Sequence, residues 1–328
     1  MNAQQVPDAP LTPWKPPGYR VDERGKVVGA RPGSPNNWGR WGEDDQLGCV
    51  NLITPGSVRR GASMVRTGTW FSLGLPIGVP PTGAVPRPMT LRTAAAGDGV
   101  LDRPSTHPAY SDEVLVMGTQ TSTQLDGLAH VAADDTMYNG YWAGLVTAGG
   151  GAKRLGVHTM GRGILGRGVL LDIARHLGVP CVPPGTVIGP ELLDDALSAT
   201  GLDLGSGDIL LVRTGALGSW DGTPGSFGTS PQPGLDASAA AWIAERDLVL
   251  VGADNSAVEA LDATQDSWDI PFHIAALRDL GLPLAELLWL DDLAEDCAED
   301  GVAEFLFVAQ PLPIVGAAGS PLNPMAVK

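Results

Sequence analysis

The sequence predicts an α/β protein built on a mixed sheet and entered through an irregular N-terminal arm. Three observations carry this reading. Short apolar runs alternate with segments of helical spacing from residue 54 onward, the first 53 residues are broken by prolines, and no repeat, low-complexity tract or composition shift marks a linker beyond residue 60. With 328 residues, 43% hydrophobic and 18% charged, the chain has the apolar content for a substantial core. The expected organisation is an arm over residues 1–53 and a single α/β domain over 54–328.

The arm carries Pro7, Pro10, Pro13, Pro16, Pro17, Pro32 and Pro35, which deny it regular hydrogen bonding. Its second half holds Trp38, Trp41, Cys49, Leu52 and Ile53, too apolar for a free tail, so it is expected to pack across the body or onto a neighbouring subunit. Thr54 and Pro55 supply an N-cap and a first-turn proline for a helix through Val58, Ala62 and Val65 that Gly68 closes. Strands are expected at 114–117, 169–173, 209–212, 248–251, 284–288 and 305–308. Between them, Pro190 to Ala199 reads as a helix stopped by Gly201, and Ala237 to Arg246 as a helix capped by Asp236.

Charge and cysteine usage narrow the function classes. The net charge is −16, and between residues 245 and 304 only Arg246 and Arg278 are basic, a field that repels phosphate backbones and anionic headgroups. Neither nucleic acid nor a membrane is an expected partner. Cys49, Cys181 and Cys297 are far apart and form no C-x-x-C pair, which fits a reducing compartment. The N-terminus lacks the basic and apolar regions of a leader, and no apolar run reaches membrane-spanning length, so a cytoplasmic protein is expected.

The chemistry-bearing stretch runs from Gln120 through Gln124 and Asp126 to His130. If extended, it places Gln120, Ser122, Gln124 and Asp126 on one face, directly after the apolar run 114–117. The plainer reading of such a row is a hydrogen-bonded polar ladder or a solvated strand edge. A second cluster lies downstream, where Pro271 opens a helix with His273 in its first turn, Gly281 ends it, and the following strand carries Glu286. The helix climbs about 10 Å from His273, and the strand returns about the same length from Pro283. His273 and Glu286 can therefore face one point, as a metal or acid–base pair, although a helix-start histidine is also a common surface or capping residue.

The first stretch resembles the H-x-G-T-H-x-D-x-P-x-H signature of the metal-dependent cyclase family, which includes bacterial kynurenine formamidases and isatin hydrolases. The likeness extends to the segments around Asn37–Asp45, Asn51–Pro55, Gly207–Gly215 and Gly319–Pro324. The resemblance implies a swivelling β/α/β fold with a central mixed sheet, and a homo-oligomer, dimer or tetramer, built partly by arm exchange. It places the signature histidines on Gln120 and Gln124, its glycine on Ser122, its aspartate on Asp126 and its last histidine on His130. It implies metal ligation by Asp126, His273 and Glu286, with Gln124 and Gln120 standing where imidazoles would bind, and acid–base roles for His130 and Glu286. Carboxamides are harder and weaker donors than imidazoles, so one divalent ion, manganese or zinc, is expected rather than a di-zinc site, with no organic cofactor.

The expected function is metal-assisted hydrolysis of a small-molecule substrate, a lactone, cyclic amide or N-acyl compound of the formamide type. An acid–base cyclase or dehydratase-type lyase with weak or no metal is the alternative, and a non-catalytic ligand-binding relative a third. Arg213, at a strand end, reads equally as a substrate clamp and as a structural ion pair. Asp254, Asn255 and Glu259 follow another strand end, and Trp38, Trp41, Tyr138, Tyr141 and Trp142 are candidate pocket aromatics. His107, His158 and His176 are assigned no role.

Overall fold

The computed structural model describes residues 17–78, 89–95, 110–223, 227, 231–261 and 270–328. The first sixteen residues of the arm and His107 lie outside them. In chain order the strands are β1 (Trp70–Ser72), β2 (Met89–Ala95), β3 (Asp112–Met117), β4 (Gln124–Asp126), β5 (Val146–Thr147), β6 (Gly151–Ala152), β7 (Ile164–Asp172) and β8 (Val187–Ile188). They continue with β9 (Ile209–Arg213), β10 (Gly234–Leu235), β11 (Leu250–Ala253), β12 (Leu284–Glu286), β13 (Glu304–Ala309), β14 (Gly319–Pro321) and β15 (Met325–Val327). The helices are α1 (Pro55–Ala62), α2 (Ile173–His176), α3 (Pro190–Thr200), α4 (Ala239–Glu245), α5 (Pro271–His273) and α6 (Asp291–Asp300).

One mixed sheet of nine strands, in the order β1-β15-β13-β7-β9-β11-β12-β4-β14, organises the molecule. Its centre is parallel, β7 to β9 to β11 to β12, and both flanks are antiparallel. The residues explain this division. Ile209, Leu210, Leu211 and Val212 of β9 are all buried, as a strand covered on both faces requires, whereas β13 buries only Phe305, Phe307 and Ala309 in alternation. The α/β expectation with a central mixed sheet is met, and the N-terminal region is irregular apart from a short 3₁₀ helix, Gly48–Leu52.

Several elements differ from the sequence reading. α1 begins as expected, with the Thr54 hydroxyl accepting from Ser57 N and the Ser57 hydroxyl from Thr54 N, but it ends at Ala62 rather than Gly68. The run 114–117 belongs not to the core but to an exposed two-stranded ribbon, β2 paired with β3. α3 and its left-handed Gly201 stop stand where expected. α5 continues directly into a π-helix, Ile274–Leu280, which Gly281 terminates at φ 64°.

The described part of the arm packs on its own chain. The C-terminal carbonyls of the π-helix lack partners within the helix, and the arm supplies them. Trp38 Nε1 donates to Arg278 O at 2.7 Å, Asn37 N to Asp279 O at 3.0 Å, Asn37 Nδ2 to Leu280 O at 2.9 Å and Cys49 N to Gly281 O at 2.7 Å. Arg40 adds a two-pronged ion pair with Asp247. At the tightest approach Gly48 faces Gly281, and a Cβ on Gly48 would collide with the Gly281 carbonyl.

Gly48 and Gly29 both have positive φ, but nothing lies within 4 Å of a Cβ at Gly29. Gly29→Ala should therefore cost only the left-handed backbone penalty, roughly 1–2 kcal/mol. Gly48→Ala should cost about 1–3 kcal/mol beyond that from overpacking. Urea unfolding of the two variants checks the difference; equal losses would mean the seam yields without strain.

Candidate metal centre

The site forms where the parallel part of the sheet meets its antiparallel edge. β4 runs antiparallel to β12, with Gln124 opposite Glu286 and Asp126 opposite Leu284. On the other side of β4, Gly319 of β14 lies opposite Asp126. His273, on α5, comes in from above this edge. One ligand atom from each of Asp126, His273 and Glu286 lies within 4.8 Å of the others, and all three side chains are buried. The convergence of helix start and returning strand expected from the sequence is thus present.

The hydrogen bonding is uneven. His273 Nδ1 donates to Glu259 Oε2 at 2.7 Å, and its Nε2 lies 3.2 Å from Glu286 Oε1. Gln124 Nε2 donates to Glu286 Oε2, which leaves Gln124 Oε1 buried with no hydrogen-bond partner among the described residues. Both oxygens of Asp126 and the hydroxyls of Thr121 and Ser122 are in the same condition. The expected polar ladder is therefore not what the row forms. A buried carboxylate without donors carries a large desolvation penalty, so this cluster of oxygens is shaped for a cation. The donor set, carboxylates with an imidazole and an amide oxygen, is one that could hold a metal ion.

Electrostatics point the same way. Burial alone would depress the His273 imidazole. Its hydrogen bonds to Glu259 and Glu286, and the charges of Glu286 and Asp126, more than reverse this and lift it to about 10. The surroundings thus demand positive charge at this point.

Among the other candidates, His130 is half-buried, with Nε2 3.7 Å from Asp126 Oδ2 and Nδ1 3.4 Å from Gln120 Nε2. Gln120 takes a different place from the one expected: its Oε1 accepts from the Thr119 hydroxyl at 2.7 Å, so the side chain steadies His130 rather than joining the triad. Of the two readings of Arg213, the structure shows the ion pair. Its guanidinium meets Asp291 at 2.8 Å through Nε and Asp172 at 2.8 Å through Nη1. Trp38, Trp41 and Tyr138 sit at the seam of arm and body instead of around the triad. Trp38 bonds Arg278 O, Trp41 lies under the Arg40 guanidinium, and Tyr138 is fully buried with its hydroxyl on Asp45 at 3.1 Å. Burial, then the Asp45 charge, holds that phenol well above its usual range.

A model of the family described as "Putative cyclase" matches residues 65–260, more than half of the chain. The chain belongs to the cyclase family. The crystal structure of a novel cyclase is 39% identical, with a TM-score of 0.83, over 89% of this chain and 99% of that one. Isatin hydrolase A from Ralstonia solanacearum shares the fold at 19% identity and TM-score 0.57, over 79% and 92% of the two chains. An isatin hydrolase bound to the product analogue thioisatinate does so at 18% and 0.55, over 84% and 98%. No curated protein sequence matches. The matched span of the cyclase model contains Asp126 and His130 but stops short of His273 and Glu286, which the fold alone brings to the site. Among the described residues no helix is long and apolar enough to cross a membrane.

Glu259, which in the sequence simply follows a strand end, is the carboxylate that holds the His273 ring. No sequence signal could have found this: Glu259 stands well before the helix start at Pro271, and only the fold brings its carboxylate to Phe272 N and the His273 ring.

If repulsion and desolvation dominate at the triad, Asp126→Asn should stabilise the protein in the presence of a chelator, by about 1–3 kcal/mol. It should at the same time abolish stabilisation by added Mn²⁺. Thermal unfolding with and without the ion measures both; a variant less stable than wild type in chelator would show that Asp126 is satisfied without a cation.

Proposed function

We propose that the protein is a metal-assisted hydrolase of a small cyclic amide, lactone or N-acyl substrate of the formamide type. The observation that carries this is the set of buried, unpartnered oxygens on Asp126 and Gln124 beside His273 and Glu286. Asp126, His273 and Glu286 would hold the ion, with Gln124 Oε1 as a further donor. A divalent ion bound there supplies Lewis acidity, polarising a carbonyl oxygen and making water acidic enough to attack near neutral pH.

The chain's own groups supply the proton transfers. With the amide nitrogen of Gln120 as donor, His130 Nδ1 accepts and the ring proton resides on Nε2, on the side of Asp126. His130, with its side chain 28% exposed, is the most accessible of these groups and is placed to pass a proton to a leaving nitrogen or oxygen. Glu286, held by Gln124, remains an acceptor on its other oxygen.

A second reading has its own support. Two carboxamides occupy signature positions where the resemblance puts imidazoles, and His273 lies between two carboxylates. That arrangement also serves an acid–base cyclase or lyase with little dependence on metal.

Elemental analysis of protein purified without chelator, followed by assays on a panel of cyclic amides, lactones and formamides with and without EDTA, separates the two. Hydrolysis should require about one bound divalent ion per chain; turnover that survives complete metal removal would favour the second reading. His130→Ala should lower turnover by roughly 100- to 10,000-fold while leaving metal content unchanged. Loss of metal in that variant would make His130 a ligand instead.

A further inference from the structure

We propose that Glu259 is a positioning residue for His273: it holds a ring proton on Nδ1 and thereby leaves Nε2, turned toward Glu286 and Asp126, as the nitrogen whose proton a cation can displace. The inference rests on the reading that Asp126, His273 and Glu286 hold a cation. Glu259 is 3% exposed, and its one ion pair among the described residues is with His273. Its Oε1 accepts from Phe272 N at 2.7 Å, and its Oε2 accepts both from His273 N at 3.2 Å and from His273 Nδ1 at 2.7 Å. One carboxylate therefore grips the backbone and the ring of the same histidine. The ring cannot turn over without breaking a buried charge-assisted bond.

The loop that carries Glu259 is built to hold it there. Val258 adopts φ 55°, a conformation that a β-branched residue avoids unless its surroundings impose it. Asn255 Nδ2 donates to Glu259 O at 3.2 Å and to Pro233 O at 2.7 Å. Asn255 O accepts from Leu287 N at 3.0 Å, and Leu287, next to Glu286, is itself at φ 57°. The two carboxylates on either side of His273 are thus fastened to one frame.

An imidazole that binds a cation through one nitrogen commonly donates its other N–H to a carboxylate, which sets the tautomer and raises its basicity. An amide at position 259 cannot reproduce this. Its single oxygen can accept from Phe272 N or from Nδ1–H, not from both in the present geometry. If the oxygen caps the helix, the amide NH₂ faces Nδ1, the ring proton moves to Nε2, and that nitrogen is closed to a cation.

The test compares full-length wild type with Glu259→Gln in two measurements. One is titration with Mn²⁺, followed by the electron paramagnetic resonance signal of the free ion; the other is the ¹H–¹⁵N correlation of the His273 ring. Glu259→Gln should bind Mn²⁺ about ten- to 100-fold more weakly and lose a slowly exchanging Nδ1–H resonance that the wild type shows. A variant with lowered thermal stability but unchanged Mn²⁺ affinity and an intact Nδ1–H resonance would make Glu259 a helix cap only, and the proposal would fall. If Glu259→Gln does not fold, the wild-type ring still decides: an Nδ1 that carries no proton, or an Nδ1–H that exchanges freely with solvent, overturns the assignment. Wild type that takes up no Mn²⁺ would overturn the cation reading instead, while the Nδ1–H resonance would still report on Glu259.

Discussion

Burying three carboxylates around one imidazole is the constraint to which this part of the molecule answers. Asp126, Glu259 and Glu286 are each nearly inaccessible. Each is treated differently. Glu259 receives three N–H donors, Glu286 an amide and the far side of the imidazole, and Asp126 no hydrogen bond at all. Even a fully protonated His273 leaves a local excess of negative charge. Low dielectric magnifies that excess, and a bound divalent ion is the natural way to lower it.

The backbone delivers these groups economically. The register of β4 against β12 sets Gln124 across from Glu286, and the crossover after β11 brings the loop with Asn255 and Glu259 to the same end. Because β11 and β12 are parallel, the chain between them must cross over, and its last part is the helical segment that starts at Pro271 and carries His273 in its first turn. Gly319 lets β14 close over β4 without a side chain pressing on Gln120 and, through it, on His130. The functional edge is thus the place where the sheet changes direction, and its groups come from four separate stretches of chain.

Much of this was legible in the sequence because the signals were local. Thr54 with Pro55, Pro190 with Gly201, and Pro271 with Gly281 are start and stop marks whose physics does not depend on the rest of the fold. The pairing of His273 with Glu286 followed from element lengths alone. What stayed hidden was set by tertiary context. Strands of three residues, such as β1, β14 and β15, are too short to show a period. The run Val114–Met117 has the composition of a core strand, yet among the described residues it pairs only with β2. Nothing near Trp38 or Tyr138 in the sequence reveals the seam of arm and helix that they occupy, so the sequence alone makes them candidate pocket aromatics. The Thr119 hydroxyl claims the carbonyl oxygen of Gln120, whereas that of Gln124 has no partner among the described residues, a difference no local pattern shows.

The seam between arm and helix also bears on how the chain is made. Trp38 and its acceptor Arg278 O are 240 positions apart, so at a synthesis rate of about 5–20 residues per second roughly 12–48 seconds separate their emergence from the ribosome. Throughout that interval two tryptophans sit on a nascent chain whose docking site does not yet exist. An early segment that must wait for a late one is a natural client for chaperones that shield apolar surface during translation, and here Asn37, Trp38 and Cys49 wait for the end of the helical segment that carries His273.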